Sequence, residues 1–294
     1  MKKIFTHVFE PIGSNSDERR PLRCKGVIII MLNNIFDSHC HYDDYKFKYD
    51  YDDVIKNALN STVVGMIHAS TDLESADFGI KMSDKFKGFY TSVGFHPDPN
   101  CIVKAESDYI EKLRNLVQKE REKGKNKIIA IGEIGLDYHY EDYDKARQIE
   151  VFTQQIELAN ELSLPVIVHL RDAIEDGMNI LNQLKPKGVI HCFSGSAETA
   201  KEVLNIGMYI SFTGALTFKN AKKANKALEI IPINKLLLET DCPYMAPEPY
   251  RGQRCDSTMI SEIAKKVADS KGLSPQEVLD ITTNNVCELF NIVL

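Results

Sequence analysis

The sequence predicts an α/β fold, a TIM (β/α)8 barrel with an extra C-terminal helix. Three observations carry this expectation. From residue 35 onward, short β-branched apolar runs alternate with longer helical patterns; eight such units follow one another; and together they occupy roughly 260 residues, the usual size of such a barrel. The strands read as near-continuous apolar runs rather than alternating ones, as expected of a parallel sheet covered on both faces. A doubly wound open sheet is the alternative arrangement of the same units.

Residues 1–30 precede the pattern and differ from it. Lys2-Lys3 resembles the start of a signal peptide, but the apolar run from Ile4 is broken by Thr6 and His7 and stopped at Glu10-Pro11. Residues 13–20 are polar and loop-like. The expected organisation is therefore an N-terminal extension over 1–30, unstructured or an over-long start, and one barrel domain over 31–294. The strands are expected at 34–37, 63–67, 89–93, 128–131, 165–168, 188–190, 208–212 and 236–238. Helical periodicity follows each in turn, at 52–60, 73–86, 107–122, 143–162, 173–184, 197–206, 219–230 and 257–270. Ser274-Pro275-Gln276-Glu277 then starts a terminal helix, with Ser274 as cap and Pro275 in the first turn.

Composition narrows the function. A net charge of −6 argues against a protein that coats nucleic acid with a basic surface, because that mode needs many Lys and Arg on phosphates. It leaves room for an enzyme that meets phosphate through bound cations. Seven cysteines without a C-x-x-C pair make neither a disulfide framework nor a zinc finger, and a reducing cytoplasm is the simplest setting. No apolar run is long enough to span a membrane.

Chemistry in a barrel collects at the carboxyl ends of the strands. The first strand runs into His39-Cys40-His41, whose alternation aims both imidazoles to one side. Alone, this pair is equally compatible with a structural role. The third strand leads to Gly94-Phe95-His96-Pro97, the fourth to Glu133, the fifth to His169 and Arg171, the sixth to His191, and the eighth to Glu239 and Asp241. Even without His96 and Glu239, four of the eight histidines and two carboxylates fall at matching ends of five strands, a pattern that points to a metal. Imidazole with carboxylate suits Zn, Mn, Fe or Co, and carboxylate with water admits Mg. Six ligands exceed the needs of one tetrahedral ion. Two ions sharing Glu133 is the economical arrangement, with His39, His41 and Asp241 on one and His169 and His191 on the other.

Five motifs then carry a family resemblance: Asp37-Ser38-His39-Cys40-His41, Glu133-Ile134-Gly135-Leu136-Asp137-Tyr138, His169-Leu170-Arg171-Asp172-Ala173, His191-Cys192-Phe193-Ser194-Gly195 and Glu239-Thr240-Asp241-Cys242-Pro243-Tyr244. In this order, over residues 33 to about 291, the chain resembles the TatD family of metal-dependent hydrolases. The resemblance implies an amidohydrolase-like barrel, a divalent-metal site built from the six ligands, a part in it for His96 and Glu239, and deoxyribonuclease activity, commonly exonucleolytic. After the eighth strand the family pattern runs Pro-x-Arg-Gly-Lys/Arg-x-Asn-x-Pro. Here Cys255 and Ser257 stand where Asn and Pro are usual.

The expected enzyme hydrolyses DNA phosphodiesters with two divalent ions (Mg, Mn or Zn), as a monomer with DNA as transient substrate and no membrane partner. Asp241 is the candidate proton acceptor for the attacking water, and Glu239 the residue that orients that water or a ligand. His96 either contacts phosphate or merely caps its turn, and Arg171 and Arg251 are candidate phosphate clamps. The alternative is a small-molecule amidohydrolase or aminoacyl-ester hydrolase on the same barrel; a non-catalytic binding barrel is disfavoured because no ligand is missing. Cys40, Cys192 and Cys242 are expected to face the helices by strand alternation. Lys219, Lys222, Lys223 and Lys226 read as a solvated face, though one beside the cleft would meet a nucleic-acid backbone.

Overall fold

Eight strands form one wholly parallel sheet in chain order: β1 (Ile35–Cys40), β2 (Val63–His68), β3 (Phe89–Val93), β4 (Ile128–Asp137), β5 (Val166–Arg171), β6 (Gly188–Ile190), β7 (Tyr209–Phe212) and β8 (Leu236–Leu238). Residues just past β8 close the ring onto β1. The Asp241 amide donates to the His39 carbonyl at 3.0 Å and the His41 amide to the Cys242 carbonyl at 2.9 Å, around a parallel bridge between Cys40 and Cys242. This closure rules out the open doubly wound sheet. It is reinforced by buried Asp37, which accepts from the Thr240 amide (3.0 Å), the Thr240 hydroxyl (2.6 Å) and the Ser257 hydroxyl (2.7 Å). Ser257, which stands where the family pattern has Pro, thus helps pin the seam, and Tyr42 supports it with a 2.8 Å hydroxyl contact.

Helices fill the connections: α1 (Tyr51–Leu59), α2 (Leu73–Lys85), a single turn α3 (Pro99–Ile102), α4 (Tyr109–Glu122), α5 (Lys145–Leu162), α6 (Ile174–Leu184), α7 (Ala197–Asn205), α8 (Lys222–Ile230) and α9 (Ile260–Lys271). The terminal helix α10 (Pro275–Phe290) begins with a full capping box, in which Ser274 and Glu277 satisfy each other's backbone amides.

The computed structural model describes residues 32–294, together with two-residue strands at Arg23–Cys24 and Val27–Ile28 that pair antiparallel. The rest of the expected extension over 1–30 lies outside the described residues. Among the described residues no helix is long and apolar enough to cross a membrane.

A period of two explains how one barrel holds both a core and a polar site. Phe36, Ile67, Ile129, Ile167, Val189, Tyr209 and Leu237, one from each of seven strands, meet in a single buried cluster, which only the barrel interior can bring together. Val286, Leu289 and Phe290 of α10 pack against it. That helix covers the amino-terminal mouth: Thr283 donates to the Asn34 carbonyl, and Asn285 to the carbonyls of Ile233 and Leu236. Two residues beyond the apolar layer come His169, His191, Ser211 and Glu239, on the same face but toward the carboxyl ends.

Three strands run at least three residues past the end that the sequence pattern indicates, β1 reaching Cys40 rather than residue 37. β4 continues to Asp137, so Glu133 lies within it rather than in a following loop. Gly132 and Gly135 serve close approach to β5. Gly135 has φ of 152°, and a Cβ there would lie 1.8 Å from the His169 carbonyl oxygen of β5. β5 likewise continues to Arg171.

Candidate metal centre

Glu133 is buried at the centre of five imidazoles. Its Oε2 lies 3.2 Å from His39 Nε2 and 3.5 Å from His41 Nε2. Its Oε1 lies 2.8 Å from His191 Nε2, 3.0 Å from His169 Nδ1 and 3.3 Å from His96 Nε2. The two carboxylate oxygens therefore face different sets. Asp241 joins the first, its Oδ1 being 3.3 Å from His41 Nε2 and 3.7 Å from His39 Nε2. The register shift in β1 between Asp37 and Cys40 lets His39 turn into the barrel, where its ring stacks on His191 at 4.0 Å between centroids.

Donor chemistry tests whether this cluster suits a cation. His169 Nε2 lies 3.2 Å from Asp137 Oδ2, which acts only as an acceptor when ionised, so the ring proton sits on Nε2. The Nδ1 lone pair then faces Glu133 Oε1 and His191 Nε2, both at 3.0 Å. His39 Nε2 and His41 Nε2 are likewise 3.0 Å apart, and the buried Nδ1 atoms of His39 and His191 have no hydrogen-bond partner. Ring nitrogens and carboxylate oxygens converging this closely on one point, with orphaned buried nitrogens beside them, are what a divalent cation satisfies. Three groups among the described residues have the spacing of ligands: His39 with His41 and Glu133, His96 with Glu133 and His169, and His39 with His191 and Glu239.

Electrostatics agree. Burial opposes charge on Glu133, yet the surrounding His191, His96 and His39 and the hydrogen bond to His169 hold its carboxyl well below the usual range. Burial likewise opposes charge on His41, but its hydrogen bond to Asp241 and the Glu133 charge raise it to about 10. His191 is also raised against burial, by Glu133 and Glu239, and His169 by Asp137 and Glu133. Burial dominates at His39 and His96, which are lowered and stay neutral. The cluster thus attracts positive charge to a point between the two sets.

The candidate residues outside the six ligands sort themselves by position. His96 caps its turn, its Nδ1 accepting the Asp98 amide at 2.9 Å, and its Nε2 also reaches Glu133. With Nδ1 an acceptor, the neutral ring carries its proton on Nε2, pointed into the cleft. Glu239 is fully buried behind His191 and lines neither cavity at the centre. It accepts from the Cys192 amide and the Ser211 hydroxyl, each at 2.6 Å, and lies 3.5 Å from His191 Nδ1. Its place is that of an orienting group for His191, not a contact for attacking water. Arg171 borders the cleft, exposed, with Nη1 4.0 Å from Asp137. Arg251 lies over the Phe218 ring, 4.3 Å from the centroid, and lines neither cavity.

Cys40 and Cys242 are buried in the core as expected, but Cys192 is not turned to the helices. β6 ends at Ile190 and Cys192 has φ of 45°, so strand alternation no longer governs it and its side chain borders a cavity.

Sequence reasoning placed Asp137 within a motif but gave it no role. It missed Gln148 and Gln155 of α5, whose amides clamp the strand ends: Gln148 bonds both the amide and carbonyl of Asp137 and the Pro97 carbonyl, and Gln155 bonds both backbone groups of Phe95. Glutamines on the buried side of an amphipathic helix were the available signal. Asp137→Asn removes the anionic acceptor that fixes the His169 tautomer. It is expected to weaken metal affinity by about 10–100-fold, read by competitive metal titration; unchanged affinity would refute the orienting role.

A family model described as TatD related DNase matches residues 36–291. The chain belongs to this family. Among TatD relatives, the uncharacterized metal-dependent hydrolase YabD of Bacillus subtilis (strain 168) is 37% identical over 261 residues, covering 88% of this chain and 99% of YabD. The 3'-5' ssDNA/RNA exonuclease TatD of Cronobacter sakazakii is 31% identical over 265 residues, covering 87% and 97%. The crystal structure of YJJV, a TatD homologue from Escherichia coli K12, superposes with a TM-score of 0.82 at 27% identity, covering 90% of this chain and all of that one (100%). This TatD family member is thus a metal-dependent hydrolase on a TIM barrel.

Proposed function

We propose that the protein is a divalent-metal-dependent deoxyribonuclease that works from strand ends as an exonuclease. The observation that carries this reading is the division of the Glu133 carboxylate between two sets of ligands in one cleft. His39, His41, Asp241 and Glu133 Oε2 would hold one ion, and His169, His191 and Glu133 Oε1 the other, with Mg, Mn or Zn as candidates. When bound, such a pair lowers the pKa of a water and neutralises charge on the phosphate. Asp241 Oδ1, at the open side of the His41 pair, accepts the proton as the water oxygen attacks phosphorus. The neutral His96 Nε2–H would hydrogen-bond a phosphate oxygen, and the leaving oxygen would take its proton from solvent as the P–O bond breaks. Arg171 supplies a charged fork to the phosphate, and Glu239 and Asp137 hold His191 and His169 in place. The nuclease name of the Cronobacter relative supports the same substrate class.

The experiment is degradation of a single-stranded DNA oligonucleotide labelled separately at its 5′ and 3′ ends, with Mg, Mn or Zn. Laddering is expected, and the label lost first gives the polarity. Absence of cleavage with every ion, despite two metals bound per chain, would overturn the nuclease reading in favour of the small-molecule amidohydrolase or aminoacyl-ester hydrolase.

A further inference from the structure

Two cavities of opposite character open onto the centre, sharing His169, Arg171, His191 and Asp241. The first, about 470 Å³, is bordered by Asp43, Asp44, Asp98 and Asp137 besides the ligands, and a polyanion entering there meets carboxylates. The second, about 600 Å³, has Asp241 as its sole carboxylate. Its walls are Phe193, Phe212, Leu216, Phe218 and Met245, and Lys222 and Lys223 at the start of α8 stand on its rim. Its size falls in the range of about 300–1,000 Å³ found for small-ligand sites. Phe193 and Phe212 meet edge to face at 6.1 Å, and the Arg251 guanidinium packs over Phe218.

An aromatic, carboxylate-poor chamber continuous with a phosphodiester-cleaving centre, rimmed by two lysines, matches a nucleotide: a flat apolar base beside a phosphate. A base held in a Watson–Crick pair cannot enter a walled chamber, whereas an unpaired one can leave the stack and lie against aromatic side chains. We propose that the chamber walled by Phe193, Phe212, Leu216 and Phe218 binds the unpaired base of the nucleotide next to the scissile phosphate, with Lys222 and Lys223 on the following phosphate. This rests on the phosphodiesterase reading. Phe218 is then a specificity-determining residue, and Arg251 acts through it by holding its ring rather than by touching phosphate.

The test compares two single-stranded oligonucleotides that differ only in whether the nucleotide beside the cleaved phosphate carries its base or a tetrahydrofuran abasic residue. The wild type is expected to prefer the base-bearing strand by about 10-fold in kcat/KM, the scale of one stacked base. Phe218→Ala is expected to bring the ratio of the two substrates to about one, and Phe218→Trp to retain the preference. Lys222→Gln with Lys223→Gln should flatten the dependence of log(kcat/KM) on log salt, by about 0.7 for each single-strand phosphate that the lysines no longer neutralise. Equal wild-type rates on the two strands, or a Phe218→Ala defect of the same size on both, would overturn the base subsite while leaving the nuclease standing. Failure of the wild type to cleave either strand would remove the phosphodiesterase reading itself.

Discussion

Glu133→Ala is expected to lose both ions and turnover together, with activity falling by about 10³-fold or more, beyond the about 10²–10³ that goes with a single electrostatic donor. The reason is position: every imidazole of the centre lies within 3.5 Å of one of its oxygens, so no other side chain serves both sets. Removing it leaves two nitrogen pairs facing each other at 3.0 Å with no anion between them. The barrel itself should persist. The Glu133 amide keeps its 2.8 Å bond to the Ser70 carbonyl, and the apolar layer beneath is untouched. Metal content by elemental analysis, circular dichroism and oligonucleotide turnover check the three parts. Full activity in the variant would refute Glu133 as the shared ligand.

Asp241→Asn is expected to separate chemistry from metal binding. Asp241 has φ of 56°, a conformation that Asn tolerates as well as Asp, and its amide bond to the His39 carbonyl does not involve the side chain. His39, His41 and Glu133 remain to hold the first ion. What disappears is the proton acceptor. Burial opposes the Asp241 charge, but the hydrogen bond from His41 and the charges of His39, His41 and His191 bring its carboxyl below the ordinary value, so it is ionised and ready at neutral pH. Loss of a positioned base costs about 10²–10⁴-fold. Single-turnover rates at saturating metal, beside metal stoichiometry, check this; a variant that retains metal and cleaves at the wild-type rate would exclude Asp241 as the acceptor.

The ligand residues were legible because strand ends are local. His39-Cys40-His41, His169 and His191 each stand directly at the end of an apolar run, and a parallel barrel brings all such ends to one mouth. The residues that steer them were less legible. Glu239, two positions from Asp241, looks like its neighbour on the strand, yet it keeps the strand's interior face against His191 while the chain turns to a positive φ at Asp241. Cys192 departed from alternation by the same kind of turn, one residue past its preceding ligand. Arg251 read as a phosphate clamp from its charge, and the structure uses its flat guanidinium against Phe218 instead.

The sequence alone determined the barrel class, the order of its units, the capped terminal helix and which side chains gather at the carboxyl ends. These follow from periodicity and spacing, which depend on a few consecutive residues. Only the tertiary structure decided that the ring closes through Asp37, Thr240 and Ser257, that Glu133 divides its oxygens between two sets, and that an acidic and an aromatic cavity flank them. Those features join residues up to 220 positions apart. Their geometry is set by bulges, twist and close packing of the whole barrel, none of which a local pattern records.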